Sequence, residues 1–171
     1  MRTPKRFKHN LSHTFKGSGN LGELIPIACY DVLPLDSIRQ SNSALVRLAP
    51  LAAPLMHKMD VKIHSYFVPL RLIWKDSGSS DGFEDFITGG SDGNNSTTHP
   101  YMDLTSDATQ RGELLNYLLS PAGSTQDDYN ILYARAYQLI WNEHYRNIDL
   151  QTEATIDTTA GPDRDWETKD N

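Results

Sequence analysis

At 171 residues the chain has enough mass for one hydrophobic core, which argues against repeat arrays and large multidomain enzymes. Hydrophobic residues make up 38% and charged residues 22%, and no run approaches the ~20 apolar residues of a membrane-spanning helix. A single cysteine, Cys29, allows neither an intramolecular disulfide nor a thiolate metal site, and with no apolar signal segment after the basic start the chain reads as made in a reducing compartment.

The net charge of -6 conceals a division: residues 1–75 carry 11 Lys and Arg against 4 acids, and residues 76–171 carry 5 against 18. Residues 1–23 form a basic arm and Gly-rich loop. Arg2, Lys5, Arg6, Lys8 and Lys16, with His9 and His13 nearby, precede the first acid, Glu23. Such an arm attracts phosphate without reading sequence. Charge alone equally allows a solvated terminus that binds nothing in particular.

From residue 24 the pattern changes. Segments 24–35 and 38–50 hold apolar residues without helical period and are predicted strands, bulged or at an edge because Pro26, Pro34, Pro50 and Pro54 each remove a ladder donor. Segment 59–74 (MDVKIHSYFVPLRLIW) is the clearest strand: Val61, Ile63, Ser65 and Phe67 alternate with Lys62, His64, Tyr66 and Val68, with Pro69 marking a bend before 70–74. Polar loops follow at 75–82 and 89–98, with the short apolar piece 83–87 between them. A short helix is predicted at 112–119 (GELLNYLL), stopped by Ser120 and Pro121. A longer one follows the capping-box spacing of Thr125 and Asp128, with Tyr129, Leu132, Tyr133, Ala136, Ile140 and His144 on the face expected to be buried. The tail 147–171 reads as a loop cut mid-course. Three or four strands make a sheet whose edges must be paired or covered, so the chain is expected to be part of a larger β architecture.

Candidate chemistry is sparse. Gly17, Gly19 and Gly22 match G-x-G-x-x-G, but the match follows no strand and opens no helix, so a turn is expected and a nucleotide site is not. His9, His13, His57, His64, His99 and His144 show no metal-ligand spacing, and Cys29 within an apolar segment is expected to behave as a small buried hydrophobe. The acids Asp76, Asp81, Glu84 and Asp85, and again Asp163, Asp165 and Glu167, lack the calcium-loop pattern. The sequons at 94–97 mean a polar loop. Tyr129, Tyr133, Tyr137, Trp141 and Tyr145 could stack bases, but at helical spacing they favour core or interface. No catalytic residue, cofactor, metal or small-molecule substrate is assigned.

One block is far more specific. The run LIPIACYDVLPLDSIRQSNSALVRLAPLAAPLMHKMDVKIHSYFVPLRLIW at 24–74, FEDFITGG at 83–90, YNILYARAYQLIWNEHYRN at 129–147 and the start HNLSHTFKGSGNLGELIPI at 9–27 resemble the N-terminal part of the major capsid protein of microviruses, in particular the gokushovirus branch of small single-stranded DNA bacteriophages.

The resemblance implies a mainly β fold with helical insertions. It would be part of an eight-stranded antiparallel jelly roll of viral capsid type, with residues 24–171 forming its N-terminal portion, 75–171 carrying inserted loops and helices, and the C-terminal strands missing. It implies a structural, non-enzymatic protein that self-assembles through pentamers into a small icosahedral shell around a circular single-stranded DNA genome. Its partners would be copies of itself, other virion proteins and that DNA, with no membrane. The protein would be made in the bacterial host cytoplasm and end in the virion. On this basis Arg2, Lys5, Arg6, Lys8 and Lys16 are candidates for DNA contact. Tyr66, Phe67, Pro69, Trp74, Tyr137, Trp141 and Tyr145 are candidates for subunit interfaces. The competing expectation is a cytoplasmic module that binds single-stranded DNA nonspecifically through the same arm; it would act as a monomer.

Overall fold

The computed structural model describes residues 7–54, 56–75, 82–89, 98–102, 114–118 and 129–156. The chain divides into two units, one of Met1–Cys29 with Pro69–Asn171 and the other of Tyr30–Val68.

The first unit holds the regular elements: α1 (Leu70–Ile73), α2 (Phe83–Thr88), β1 (Tyr101–Met102), α3 (Leu114–Tyr117), β2 (Tyr129–Asn130) and α4 (Leu132–His144). Pro69, with φ of -66° and extended ψ, introduces α1, so residues 70–73 coil into one helical turn in place of the continued strand expected there. In α2 the acids Glu84 and Asp85 occupy the first turn, where the helix dipole favours them, and the Gly89 N–H closes the helix on the Asp85 carbonyl at 2.8 Å. β1 and β2 pair antiparallel, Tyr101 opposite Asn130 and Met102 opposite Tyr129. Tyr129 therefore belongs to a short ladder and not to the helix, as its spacing had implied. The predicted caps Thr125 and Asp128 lie outside the described residues. The first free N–H of α4, that of Leu132, instead donates to Asn130 Oδ1 at 2.9 Å.

The core of this unit is Met102, Leu118, Ile131 and Ala134, with Cys29, Leu114, Leu115, Tyr129, Tyr133 and Tyr137 packed around it. Cys29 thus sits against apolar neighbours but is half-buried, where its setting in the sequence suggested a buried side chain. The buried face of α4 differs from the predicted one. Ala134, Arg135, Gln138 and Asn142 are buried, whereas Leu132, Tyr133, Ala136 and Ile140 are half-buried and His144 is exposed. The reason lies in what α4 meets. Arg135 is fully buried and its Nη1 donates to the Ile73 carbonyl at 3.3 Å, and Asn142 meets the backbone of Ala154. Irregular backbone lacks ladder partners, so a helix packed against it supplies donors and acceptors from polar side chains. Beyond α4, the Gln151 N–H returns to the Asn147 carbonyl at 2.8 Å and the Gln151 side chain accepts from the Asn147 N–H at 2.8 Å, folding the next segment into a turn.

The second unit, Tyr30–Val68, has neither helix nor ladder among its described residues. The strands expected at 24–35, 38–50 and 59–68 therefore form no ladder among the described residues. Extended conformation is a local preference of β-branched and aromatic residues, whereas a strand needs a second edge, and the prolines withhold donors. One turn is well defined: the Asp36 N–H reaches the Leu33 carbonyl at 3.1 Å around Pro34 and Leu35, and the Leu33 N–H donates to Asp36 Oδ2 at 3.3 Å. Leu35 stands in the left-handed region at φ of 71°. Large apolar side chains are exposed throughout this unit, among them Leu45 at 83%, Met56 at 90% and Phe67 at 76%.

Candidate functional site

Two features bear on function: the basic arm, and the aromatic and apolar residues placed for contact. In the arm, Arg2, Lys5 and Arg6 lie outside the described residues. Lys8, His9, His13 and Lys16 are all exposed. Local bonds shape this stretch, with the Ser12 N–H donating to Asn10 Oδ1 at 3.0 Å and His13 Nδ1 lying 3.3 Å from the Leu11 carbonyl.

The arm then passes into a built turn. Asn20 donates to Glu23 twice, from its N–H to Oε2 at 2.8 Å and from its side-chain amide to Oε1 at 2.6 Å. These two bonds hold the Glu23 carboxyl below its ordinary range, the backbone N–H contributing most. The three glycines serve this geometry and form no phosphate loop. Gly22 takes φ of +89°, and a Cβ on Gly19 would overlap the Ile25 side chain. The turn expected from this motif is present, and no helix opens from it.

Tyrosines tie the turn to the helices. The Tyr117 hydroxyl donates to the Ser18 carbonyl at 2.9 Å, and its ring lies 6.0 Å from that of Phe15. The Tyr137 hydroxyl donates to the Leu24 carbonyl at 3.0 Å, and the Tyr129 hydroxyl donates to the Leu118 carbonyl. Burial and then the nearby Cys29 thiol leave Tyr129 with its pKa pushed up to about 12; burial and then the Glu23 charge raise that of Tyr137.

The interface candidates separate into two groups. Tyr66 and Phe67 are exposed in the second unit, where the Tyr66 hydroxyl lies 3.2 Å from His64 Nδ1. Pro69, Tyr137, Trp141 and Tyr145 are half-buried in the first unit. Trp74 is 3% exposed and packs against Phe83 and Phe86 at ring distances of 5.8 and 5.2 Å, so its indole fills the interior of that unit and presents no surface. The buried polar stripe of α4 escaped the sequence reading, although Arg135, Gln138 and Asn142 do recur at helical spacing. A search for apolar period passes over such a stripe.

Among the described residues no group of three His, Cys, Asp or Glu side chains comes together to hold a metal. Glu84 and Asp85 lie in the first turn of α2, and the other acids and the sequons singled out in the sequence lie outside the described residues. Nor is any described helix long and apolar enough to cross a membrane.

The family model described as "Capsid protein (F protein)" matches residues 1–170, and the chain belongs to that family. It is 29% identical to capsid protein VP1 of Chlamydia phage 1 over 162 residues, covering 90% of this chain and 26% of that protein. It is 30% identical to capsid protein VP1 of Bdellovibrio phage phiMH2K, covering 92% of this chain and 29% of that one. The figure for capsid protein VP1 of Spiroplasma virus 4 is 27% over 154 residues. The microvirus resemblance read from residues 24–74, 83–90 and 129–147 is thus borne out. The chain spans about a quarter of the length of these curated relatives. No solved structure matches it significantly.

Proposed function

We propose that this chain is a structural part of a microvirus capsid: it assembles with copies of itself, through pentamers, into a small icosahedral shell around circular single-stranded DNA, and resides in the virion. The observation that carries this reading is the segment Tyr30–Val68, whose apolar side chains stand exposed with no helix or ladder among its described residues. Free edges and exposed apolar area on this scale are destabilising in water and are covered by assembly or by further strands of a sheet. A jelly roll of eight antiparallel strands would supply such cover. In this scheme residues 24–171 form the front portion of the roll and its insertions, and residues 1–23 the arm. The role is structural and not catalytic.

The arm faces the genome in this reading. Lys8 and Lys16, with Arg2, Lys5 and Arg6, neutralise phosphate without base readout, and the acidic second half faces neighbouring subunits or solvent. Other virion proteins complete the shell, and synthesis takes place in the bacterial cytoplasm.

Sedimentation and electron microscopy of the full chain test the assembly. Pentamers or closed particles are expected, and Leu45→Ser with Phe67→Ser should reduce their yield while helical circular dichroism stays unchanged. A chain that remains monomeric while binding DNA would favour the cytoplasmic binding module and refute assembly by this chain. A salt titration of oligothymidylate binding, with Lys5, Arg6, Lys8 and Lys16 changed to Ala, tests the arm: the slope should fall, and an unchanged slope would exclude this orientation.

A further inference from the structure

The arm is not a simple frayed end. Its last residues enter a segment held at successive points on the helical unit: the Phe15 ring against Tyr117, the Ser18 carbonyl on the Tyr117 hydroxyl, the Leu24 carbonyl on the Tyr137 hydroxyl, and half-buried Cys29 packed against the core of Met102, Leu118, Ile131 and Ala134. Between the two hydroxyl contacts lies the turn fastened by Asn20 and Glu23, with Gly22 at φ of +89°. Tyr117 ends α3 and Tyr137 lies within α4, and the Tyr129 hydroxyl on the Leu118 carbonyl ties β2 to the end of α3. The Ser18 contact is exposed and water can replace it, whereas the Leu24 contact is partly buried and must be kept.

We propose that residues 15–29 are a latched strap: the Tyr117 and Tyr137 hydroxyls hold it at Ser18 and Leu24, so that Lys8 and Lys16 are offered to nucleic-acid phosphate from an anchored base. The phosphate part of this inference rests on the reading of the arm given above. The physical gain is entropic. A chain free from residue 1 to residue 29 loses backbone and side-chain freedom when it lies along a nucleic acid, and each ordered residue subtracts from affinity. A strap fixed from Phe15 to Cys29 has lost the freedom of those residues beforehand, so Lys16 and the charges joined to it bind more tightly. The number of phosphates neutralised depends on the charges alone, and the latch therefore changes affinity without changing the salt slope.

Trypsin cleavage of the full chain reads the latch directly, because Lys16 lies two residues before Ser18 and Lys62 lies exposed in the other unit as an internal reference. Two variants loosen the strap by different routes. Tyr117→Phe with Tyr137→Phe keeps both rings and removes both hydroxyls, and Gly22→Ala strains the turn. Cleavage after Lys16 relative to Lys62 should rise roughly three- to tenfold in each, the effect of one or two ordinary hydrogen bonds. Oligothymidylate affinity should fall by a similar factor at every salt concentration with its slope unchanged. Unaltered cleavage in both variants would overturn the latch. Faster cleavage with unaltered affinity would overturn its service to the arm. If the unaltered chain binds no oligothymidylate, the phosphate reading fails by itself and the cleavage ratio alone decides the latch.

Discussion

Asn142 binds both backbone groups of Ala154: its Nδ2 donates to the carbonyl oxygen and its Oδ1 accepts from the N–H, each at 2.9 Å. Both residues are buried, so one side-chain amide does for the segment after α4 what a neighbouring strand does in a sheet. Truncating Asn142→Ala leaves two buried backbone groups unpaired, and we expect a loss of about 2–4 kcal/mol from the penalty for two unsatisfied groups. Asn142→Asp should be worse than its similar shape suggests, since it loses the donor and buries a charge beside a carbonyl. Urea denaturation followed by circular dichroism checks both. A cost below that of an ordinary surface substitution would show that residues 147–156 do not depend on the clamp.

Tyr129 sets an alkaline limit on the fold. Its pKa is pushed up from 10.0 to about 12, because burial disfavours the phenolate, with the Cys29 thiol adding to this. The folded state holds the proton more tightly than the unfolded state, so this contribution to stability is complete below about pH 10 and is lost as pH climbs from 10 towards about 12. Tyr137 is raised in the same sense and adds to the loss. Stability measured across that range should decline, and Tyr129→Phe should flatten part of the decline. Tyrosinate absorbance should show at least one residue titrating late. Coincident titration of all eight tyrosines at the ordinary value would contradict the burial of Tyr129.

Leu35 occupies the left-handed region at φ of 71° while 92% exposed, a conformation that costs an ordinary side chain about 1–2 kcal/mol. The two hydrogen bonds between Leu33 and Asp36 hold it there. Leu35→Gly and Leu35→Asn should each raise the stability of the chain by up to about 1 kcal/mol, Asn more reliably because it does not loosen the unfolded state. The proposed assembly gives the strain a use: a leucine projected from this turn is well placed for contact with a partner. Particle yield should then fall as stability rises, and an unchanged yield would show that Leu35 touches no partner.

The sequence by itself determined local preference and family. The periodicity of residues 129–144 marked a helix, the apolar patterning of 24–35, 38–50 and 59–74 marked strands, the glycines at 17–22 marked a turn, and the block at 24–74 marked a capsid lineage. These are properties of neighbouring residues or of a motif read as a string, and no distant contact is needed to see them. Tertiary structure decided which side chains meet what. It turned α4 so that Arg135, Gln138 and Asn142 point inward, because the carbonyl of Ile73 at the end of α1 and the irregular backbone at Ala154 offer hydrogen-bonding groups that apolar side chains cannot satisfy. It placed Trp74 inside, drew Tyr129 out of the helix into a ladder with Met102, and joined Ser18 to Tyr117 and Leu24 to Tyr137 across about a hundred residues. Long-range pairs of this kind depend on which surfaces face one another after collapse, and a period of two or of 3.6 holds no record of that. The segment Tyr30–Val68 makes the same point from the other side: its residues favour extended conformation, but a strand exists only where another edge is present to complete its hydrogen bonds.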